Sequence, residues 1–365
     1  MISHMKINKN AGAGRVQLEL KLELEKKGYD VDLLGMDYFF PKGLWIFSRF
    51  KHLLFPFVLW KFLRKNSNKY DHIELHQGNF PFSKKSIGFN GKLIVRSCGL
   101  NDFYYAFKKY SIRNGMSASG ALDKFITWLH FHFCRASFNT SDFIHVPNTD
   151  EKVFLDMYLG LFDKTFYIQN TIPNLNMDKF SVREINEKKK VSFLYIGSFI
   201  PRKGSQDWKK FLEIISRQGK SLLMMGVGDA DISLLQEFEE SGSLKVVRRY
   251  NALEIDEVIG DSPYVGVFPS YCEGFGLGVL EMLSLGVPVI SYNIPGPRDM
   301  ISDRSVGSLV RVGDIELLAK EAIDFCQILE SDPCRIIKSC KRVSKNFKME
   351  IVVKKYLNML SKAIA

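Results

Sequence analysis

The stretch VGVFPSYCEGFGLGVLEMLSLGVPVI, residues 265–290, decides how the rest of the chain is read. Its two apolar runs, 265–268 and 287–290, have the length of buried parallel strands, with Pro269 closing the first and Pro288 opening the second. Between them a glycine-rich turn leads into a helix expected over residues 277–285. Gly274, Gly276 and Gly278 lack side chains, so backbone N–H groups at the start of that helix can approach an anion, which the helix dipole favours there. Glu273 and Glu281 bracket the turn. Because carboxylates repel a phosphate, both are expected to meet neutral hydroxyls nearby, and sugars are rich in hydroxyls. A plain strand, turn and helix of a doubly wound sheet also explains the glycines, as packing devices. It leaves the two glutamates without a reason.

Glu273 and Glu281, within PSYCEGFGLGVLEMLSLGVPVI, together resemble the signature of retaining glycosyltransferases of the GT-B fold, family four of the sequence classification. The resemblance implies an α/β protein of two Rossmann-like domains facing each other across a cleft, with a C-terminal helix crossing back. It also implies that Glu281 holds the ribose hydroxyls of a nucleotide sugar and that Glu273 lies beside the donor sugar. The turn Gly274, Phe275, Gly276, Leu277 then meets the diphosphate. Gly12 and Gly14 match loosely the place where small residues let donor and acceptor approach, and a tight turn explains them as well.

Residues 191–197 read as a buried strand, followed by Ser198 and then Arg202-Lys203-Gly204. A basic pair beside a glycine, between strand and helix, is placed to neutralise a diphosphate leaving group. Without an anion, the pair would sit unfavourably at the positive end of a helix dipole. The resembling family commonly has an Arg after the first glycine and a Lys before the second. Lys203 fits the second place, Ser198 stands in the first, and Arg202 is the candidate to supply the guanidinium. A second departure lies at 96–100, RSCGL, where the family usually carries a His that orients the donor sugar. Cys98 holds that place, and a thiol is a weak hydrogen-bond donor. Asn101, Asp102 and His76 are the candidates to cover the role.

With 365 residues the chain exceeds one ordinary core. The expected division is an acceptor-binding domain over 1–175, a nucleotide-sugar-binding domain over 176–345 and a returning helix over 346–365, with a solvated linker around 172–190. In the first half a short strand is expected near 2–7, then a loop through Gly12 and Gly14. The segment 15–27 alternates like a strand but is built of helix formers, so it reads as a helix buried on two sides, followed by a strand over 29–34. A helix-like run covers 115–132, and Asn148 and Thr149 are candidate helix caps. The glycines at 12–14 and 226–228 lack the third small residue of a dinucleotide fingerprint, since Gln17 and Asp231 stand there.

Six scattered cysteines without C-x-x-C pairing point to reduced thiols, a cytoplasmic location and no zinc site. Residues 1–10 are short and polar, so no secretory leader is expected. No cofactor or metal is expected: Arg202, Lys203 and the 274–278 turn take the charge. Lys and Arg outnumber Asp and Glu by 25 to 16 in residues 1–180, against 26 to 24 in the remainder. The basic excess therefore sits in the first half. There Trp45, Phe47, Phe50, Phe55, Phe57, Trp60 and Phe62 interleave with basic residues. A face resting on anionic lipid and a core helix with a basic edge both fit, while nucleic acid is not expected because no recognition motif accompanies the charge. The expected activity is metal-independent sugar transfer, with retention, from a nucleotide diphosphate, UDP-sugar favoured and GDP-sugar as an option. The acceptor is a saccharide or lipid-linked saccharide, in cell-surface polysaccharide or glycolipid assembly. The alternatives are a non-catalytic sugar-nucleotide-binding module, an epimerase or phosphorylase of the same fold, and a membrane-associated scaffold.

Overall fold

The computed structural model describes residues 1–3, 7, 12–40, 51–172, 189–251 and 255–362. The chain divides into two compact units, Met1–Pro173 with Met349–Ala365, and Asn174–Lys348. Helices of eight residues or more are α1 (Gly12–Lys26), α2 (Lys51–Asn66), α3 (Asn101–Arg113), α4 (Ala121–Thr140), α5 (Thr149–Leu159), α6 (Trp208–Ser216), α7 (Leu277–Ser284), α8 (Ile315–Ser331), α9 (Pro333–Ser344) and α10 (Met349–Ser361).

In the first unit, β1 (His72–His76), β2 (Lys92–Arg96), β3 (Phe143–Val146) and β4 (Thr165–Tyr167) form a parallel sheet in that order. Ile2 bridges Leu34 on one side and Leu75 of β1 on the other, so the sheet continues past β1 in a doubly wound order. The strands expected over 2–7 and 29–34 reduce to these bridges, with residues 4–6 outside the described ones. Asp30 and Asp32, residues that strands disfavour, separate the apolar positions of the second stretch.

Segment 15–27 is helical, and α1 begins at Gly12, so Gly12 and Gly14 sit in its first turn and not in a loop. Burial on two sides is corrected to one. Val16, Leu20 and Leu24, four residues apart, are buried, whereas Leu22 is 42% exposed. Of the run 115–132 only residues 121–132 are helical, in α4; residues 115–120 belong to the connection from α3. In α2, Phe55, Leu59 and Leu63 enter the core at the same spacing, Phe62 packs against it, and the Trp60 indole donates to Ser86 at 3.2 Å. Phe57 is exposed, and Trp45, Phe47 and Phe50 lie outside the described residues, as does most of the expected linker at 172–190.

After the second unit the chain re-enters the first as α10. Val352, Val353, Tyr356 and Met359 pack with Leu20 and Leu24 of α1 and with Ile94 and Phe143 of the sheet. Beneath them Glu74 is buried with Arg96 at 3.4 Å, His145 at 3.8 Å and a hydrogen bond from Tyr356. Arg96 also donates to Asn170 at 3.2 Å, and His145 meets the Ile168 carbonyl at 2.8 Å. Burial alone would raise the Glu74 pKa, but Arg96 and these partners hold it far below the carboxylate range. Removing one member of such a group leaves an uncompensated charge.

In the second unit β5 (Ser192–Ile196), β6 (Leu222–Met225), β7 (Leu244–Val247), β8 (Tyr264–Phe268), β9 (Val289–Tyr292) and β10 (Gly307–Val310) make a parallel sheet ordered β10-β9-β8-β5-β6-β7. This is the doubly wound order of nucleotide-binding folds, and its direction reverses between β5 and β8. Loops leaving those two strands at their carboxyl ends therefore meet. Among the described residues no helix is long and apolar enough to cross a membrane.

Glu151 offers a test of the first unit. Its carboxyl accepts from Asn148 Nδ2 at 2.7 Å while its own N–H donates to Asn148 Oδ1 at 2.8 Å, a reciprocal cap that starts α5. Burial outweighs these bonds and pushes its pKa up to about 8. A raised carboxyl contributes stability that is fully present below the unfolded value near 4.5 and is lost as pH rises toward 8. Glu151→Gln should therefore gain on the wild type across that window, read as the difference between two urea-unfolding profiles against pH; a pH-independent difference would count against a buried neutral acid.

Candidate functional site

In the second unit the loop after β5 closes in a short helical turn, Pro201–Lys203, followed by Gly204 at φ +81°. A Cβ there would lie 2.2 Å from the Pro269 carbonyl oxygen, so only glycine lets this turn abut the exit of β8. The Tyr271 N–H donates to the Arg202 carbonyl at 2.9 Å, and Arg202 Nη1 donates to the Cys272 carbonyl at 2.8 Å. Lys203 forms an ion pair with Glu273, and Arg202 Nη1 lies 3.5 Å from the same oxygen. The basic pair and the first glutamate of the signature, read separately in the sequence, thus form one cluster. Glu273 is 6% exposed. Burial would raise its pKa, but Lys203 and then Arg202 prevail and lower it, so it stays a carboxylate at neutral pH.

The glycines divide their work. Gly276, at φ +86°, caps α7. Gly278 is a packing residue: a Cβ on it would be 2.3 Å from the Ile196 carbonyl oxygen, so its absence lets α7 press onto β5. The Phe275 ring is buried against Phe347, with centroids 5.6 Å apart, and Leu277 is half-buried. With its ring turned inward, Phe275 has only its backbone to offer a ligand. Glu281, one turn into α7, is buried and accepts from the Tyr250 hydroxyl at 3.1 Å. Ser198 is exposed, and its carbonyl accepts from the Tyr195 hydroxyl at 2.8 Å.

Behind the cluster, the two Asp207 oxygens accept from Tyr271 at 3.2 Å and Tyr292 at 2.7 Å. This clamp holds the segment that carries Cys272 and Glu273. The sequence gives no local sign of it, because its three members are far apart in the chain. Tyr250 is likewise new to the picture. Its relation to Glu281 spans 31 residues.

In the first unit Cys98 Sγ lies 3.9 Å from His76 Nε2, which in turn lies 3.2 Å from Gln17 Oε1 on α1. Burial pushes the Cys98 thiol up to about 12, so it remains a neutral, weak donor. The imidazole named as its possible substitute is thus its direct neighbour, at the carboxyl ends of β1 and β2. Asn101 opens α3, and its N–H donates to Gln77 Oε1 at 3.3 Å. Asp102 is engaged by Arg135 and does not join the Cys98 group. Gly14 is buried in the first turn of α1, which also carries Gln17. Among the described residues no group of three or more His, Cys, Asp or Glu is placed to hold a metal ion.

A depressed carboxylate contributes stability above its unfolded pKa and loses it as pH falls. Lys203→Met should therefore move the acid limb of the stability profile to higher pH and cost about 2 kcal/mol at neutral pH, the scale of a hydrogen bond to a charged group. Adding Glu273→Gln should restore much of that loss, measured by urea unfolding. Equal losses in the single and double variants would show that the pair contributes nothing.

Residues 177–348 match the family described as glycosyl transferases group 1. A stretch of 161 residues, 42% of this chain, is 29% identical to O-antigen chain mannosyltransferase B of Escherichia coli, of whose length it spans 40%. Among solved structures, sucrose-phosphate synthase from Thermosynechococcus elongatus superposes with a TM-score of 0.76 at 18% identity, covering 98% of this chain and 97% of the other. HepE from Anabaena, solved with UDP and glucose, gives 0.62 at 14% identity over 99% and 98% of the two chains. The protein therefore has the GT-B fold, and residues 177–348 of its second unit are similar to the glycosyl transferases group 1 family.

Proposed function

We propose that this chain transfers a sugar, with retention of anomeric configuration, from a nucleotide-diphosphate donor to a saccharide or lipid-linked saccharide acceptor. The observation that carries the reading is the gathering of Arg202 and Lys203 on the buried Glu273, where the loops from β5 and β8 meet. Two cations against one carboxylate leave a positive charge in excess. A cluster held by fixed hydrogen bonds needs no reorganisation when negative charge grows on a departing diphosphate. Glu281 is assigned to the ribose hydroxyls, with Tyr250 fixing its carboxylate. The backbone of Gly274, Phe275, Gly276 and Leu277, with Ser198, is assigned to the phosphates. Arg202 and Lys203 stabilise the leaving group, and Glu273 keeps both in place beside the donor sugar.

The E. coli relative's name supports a role in cell-surface polysaccharide or glycolipid assembly, and the UDP in the HepE structure favours a UDP-sugar over a GDP-sugar. In the first unit the Cys98, His76 and Gln17 group, with Gly12 and Gly14 nearby in the chain, is assigned to sugar orientation and acceptor approach, and Asn101 is its flanking member. The reaction is proposed to need no metal, in the cytoplasm, with peripheral contact to an anionic membrane. Cys98 favours one second reading, a module that binds the donor without turning it over.

Thermal unfolding with UDP, GDP, ADP and their sugars separates these readings. The expected outcome is stabilisation by UDP and a UDP-sugar, reduced at least about tenfold in apparent affinity in Lys203→Ala and Glu281→Ala. Nucleotide diphosphate should be released only when acceptor is present. Stabilisation without turnover against a panel of acceptors would favour the binding module, and no stabilisation by any nucleotide would remove both readings.

A further inference from the structure

The hairpin of α3 and α4 leaves an aromatic face uncovered. Leu122, Phe125 and Trp128 are 46%, 55% and 51% exposed, and their spacing of three residues sets them along one side of α4. Cys134, Ser137 and Phe138 of the same helix are buried. The exposed rings are ordered by one another: Phe125 stacks on Trp128 with centroids 6.1 Å apart, and Trp128 meets His132 edge-on at 4.4 Å. Tyr110 on α3 is also exposed. A run of large apolar side chains left in water on a folded unit marks a surface built to be covered.

The charges around it indicate the cover. Lys109 and Arg113 on α3 and Lys124 on α4 are exposed, and the connecting residues 114–120 carry no acid. Of the two acids on these helices, Asp102 is engaged by Arg135, which leaves Asp123 alone against the three cations. Aromatic residues that protrude from a convex helix with a cationic border suit a bilayer interface, where rings enter the headgroup layer and lysines and arginines meet anionic lipid. We infer that the α3–α4 hairpin, through Leu122, Phe125, Trp128, Lys109, Arg113 and Lys124, docks the first unit on a membrane surface containing anionic phospholipid.

The sequence left the aromatic stretch at 45–62 open between a lipid face and a core helix; in α2, Phe55, Leu59 and Leu63 enter the core, while Trp45, Phe47 and Phe50 lie outside the described residues. The position of the hairpin bears on the acceptor. Helix α3 starts three residues after Cys98 and is 13 residues long, about 20 Å at 1.5 Å per residue. The docking face therefore lies within reach of the strand ends that carry Cys98 and His76, so a saccharide anchored in the same membrane would be presented to that edge. Only this last step rests on the glycosyltransferase reading; the lipid contact does not.

Co-sedimentation of the full chain with vesicles tests the contact. Wild type should bind phosphatidylcholine vesicles containing phosphatidylglycerol at least about tenfold more tightly than phosphatidylcholine alone, and added salt should weaken it. Phe125→Ser with Trp128→Ser, and separately Lys109→Gln with Arg113→Gln and Lys124→Gln, should each lose at least about tenfold. Their melting temperatures and stabilisation by UDP should stay at the wild-type level, since the changed side chains are exposed. Equal binding by wild type and both variants would overturn the inference. So would concentration-dependent self-association that the Phe125 and Trp128 changes abolish, which would assign the face to a second copy of the chain. Vesicle binding that persists in a protein no nucleotide stabilises would leave the docking face intact and remove the donor assignment alone.

Discussion

A carboxylate withdrawn from water and matched by two cations is the constraint around which the second unit is arranged. Glu273 is held ionised at its depth by Lys203 and Arg202, and it draws both cations onto one oxygen. The ion cluster joins segments about seventy residues apart. A backbone bond from Tyr271 to Arg202 and a bond from the Arg202 guanidinium to the Cys272 carbonyl repeat the join, and the absent side chain at Gly204 lets it close. Charge and backbone geometry therefore place the same two loops together.

The sheet explains why these loops meet at all. In the order β10-β9-β8-β5-β6-β7 the helices after β5 and β8 leave toward opposite faces, opening a gap at the carboxyl ends of those two strands. In the first unit the order reverses between Ile2 and β1, where Gln17 of α1 meets His76, and Cys98, after the neighbouring strand β2, meets the same imidazole. Both groups thus sit at strand ends, each fixed by its own sheet.

Much of this was legible in the sequence, for definite reasons. The runs at 265–268 and 287–290 are apolar throughout because parallel strands are covered on both faces, and the structure places β8 and β9 there. Glu273, Glu281, Arg202 and Lys203 were visible because each stands against a glycine turn where a charge needs a reason. The pairing of Glu273 with Arg202 and Lys203, and of Glu281 with Tyr250, was not, since local spacing says nothing about partners far along the chain. The same holds for Asp207, Tyr271 and Tyr292, which look like an ordinary helix start and two core aromatics. Segment 15–27 shows the opposite limit: its alternation of apolar residues suggested burial on two sides, but the helical period exposes Leu22. The exposed aromatics of α4 were hidden inside a run that reads simply as helical.

The first unit is made from two separated pieces of chain, and Val352, Val353, Tyr356 and Met359 complete its interior. During synthesis residues 1–173 must wait, with part of their apolar surface unmatched, until the intervening unit has been made and α10 emerges. The second unit, continuous in sequence, can close first. Translation therefore imposes an order of assembly in which the part made earliest is finished last, and a truncation that removes α10 would strike the opposite end of the polypeptide.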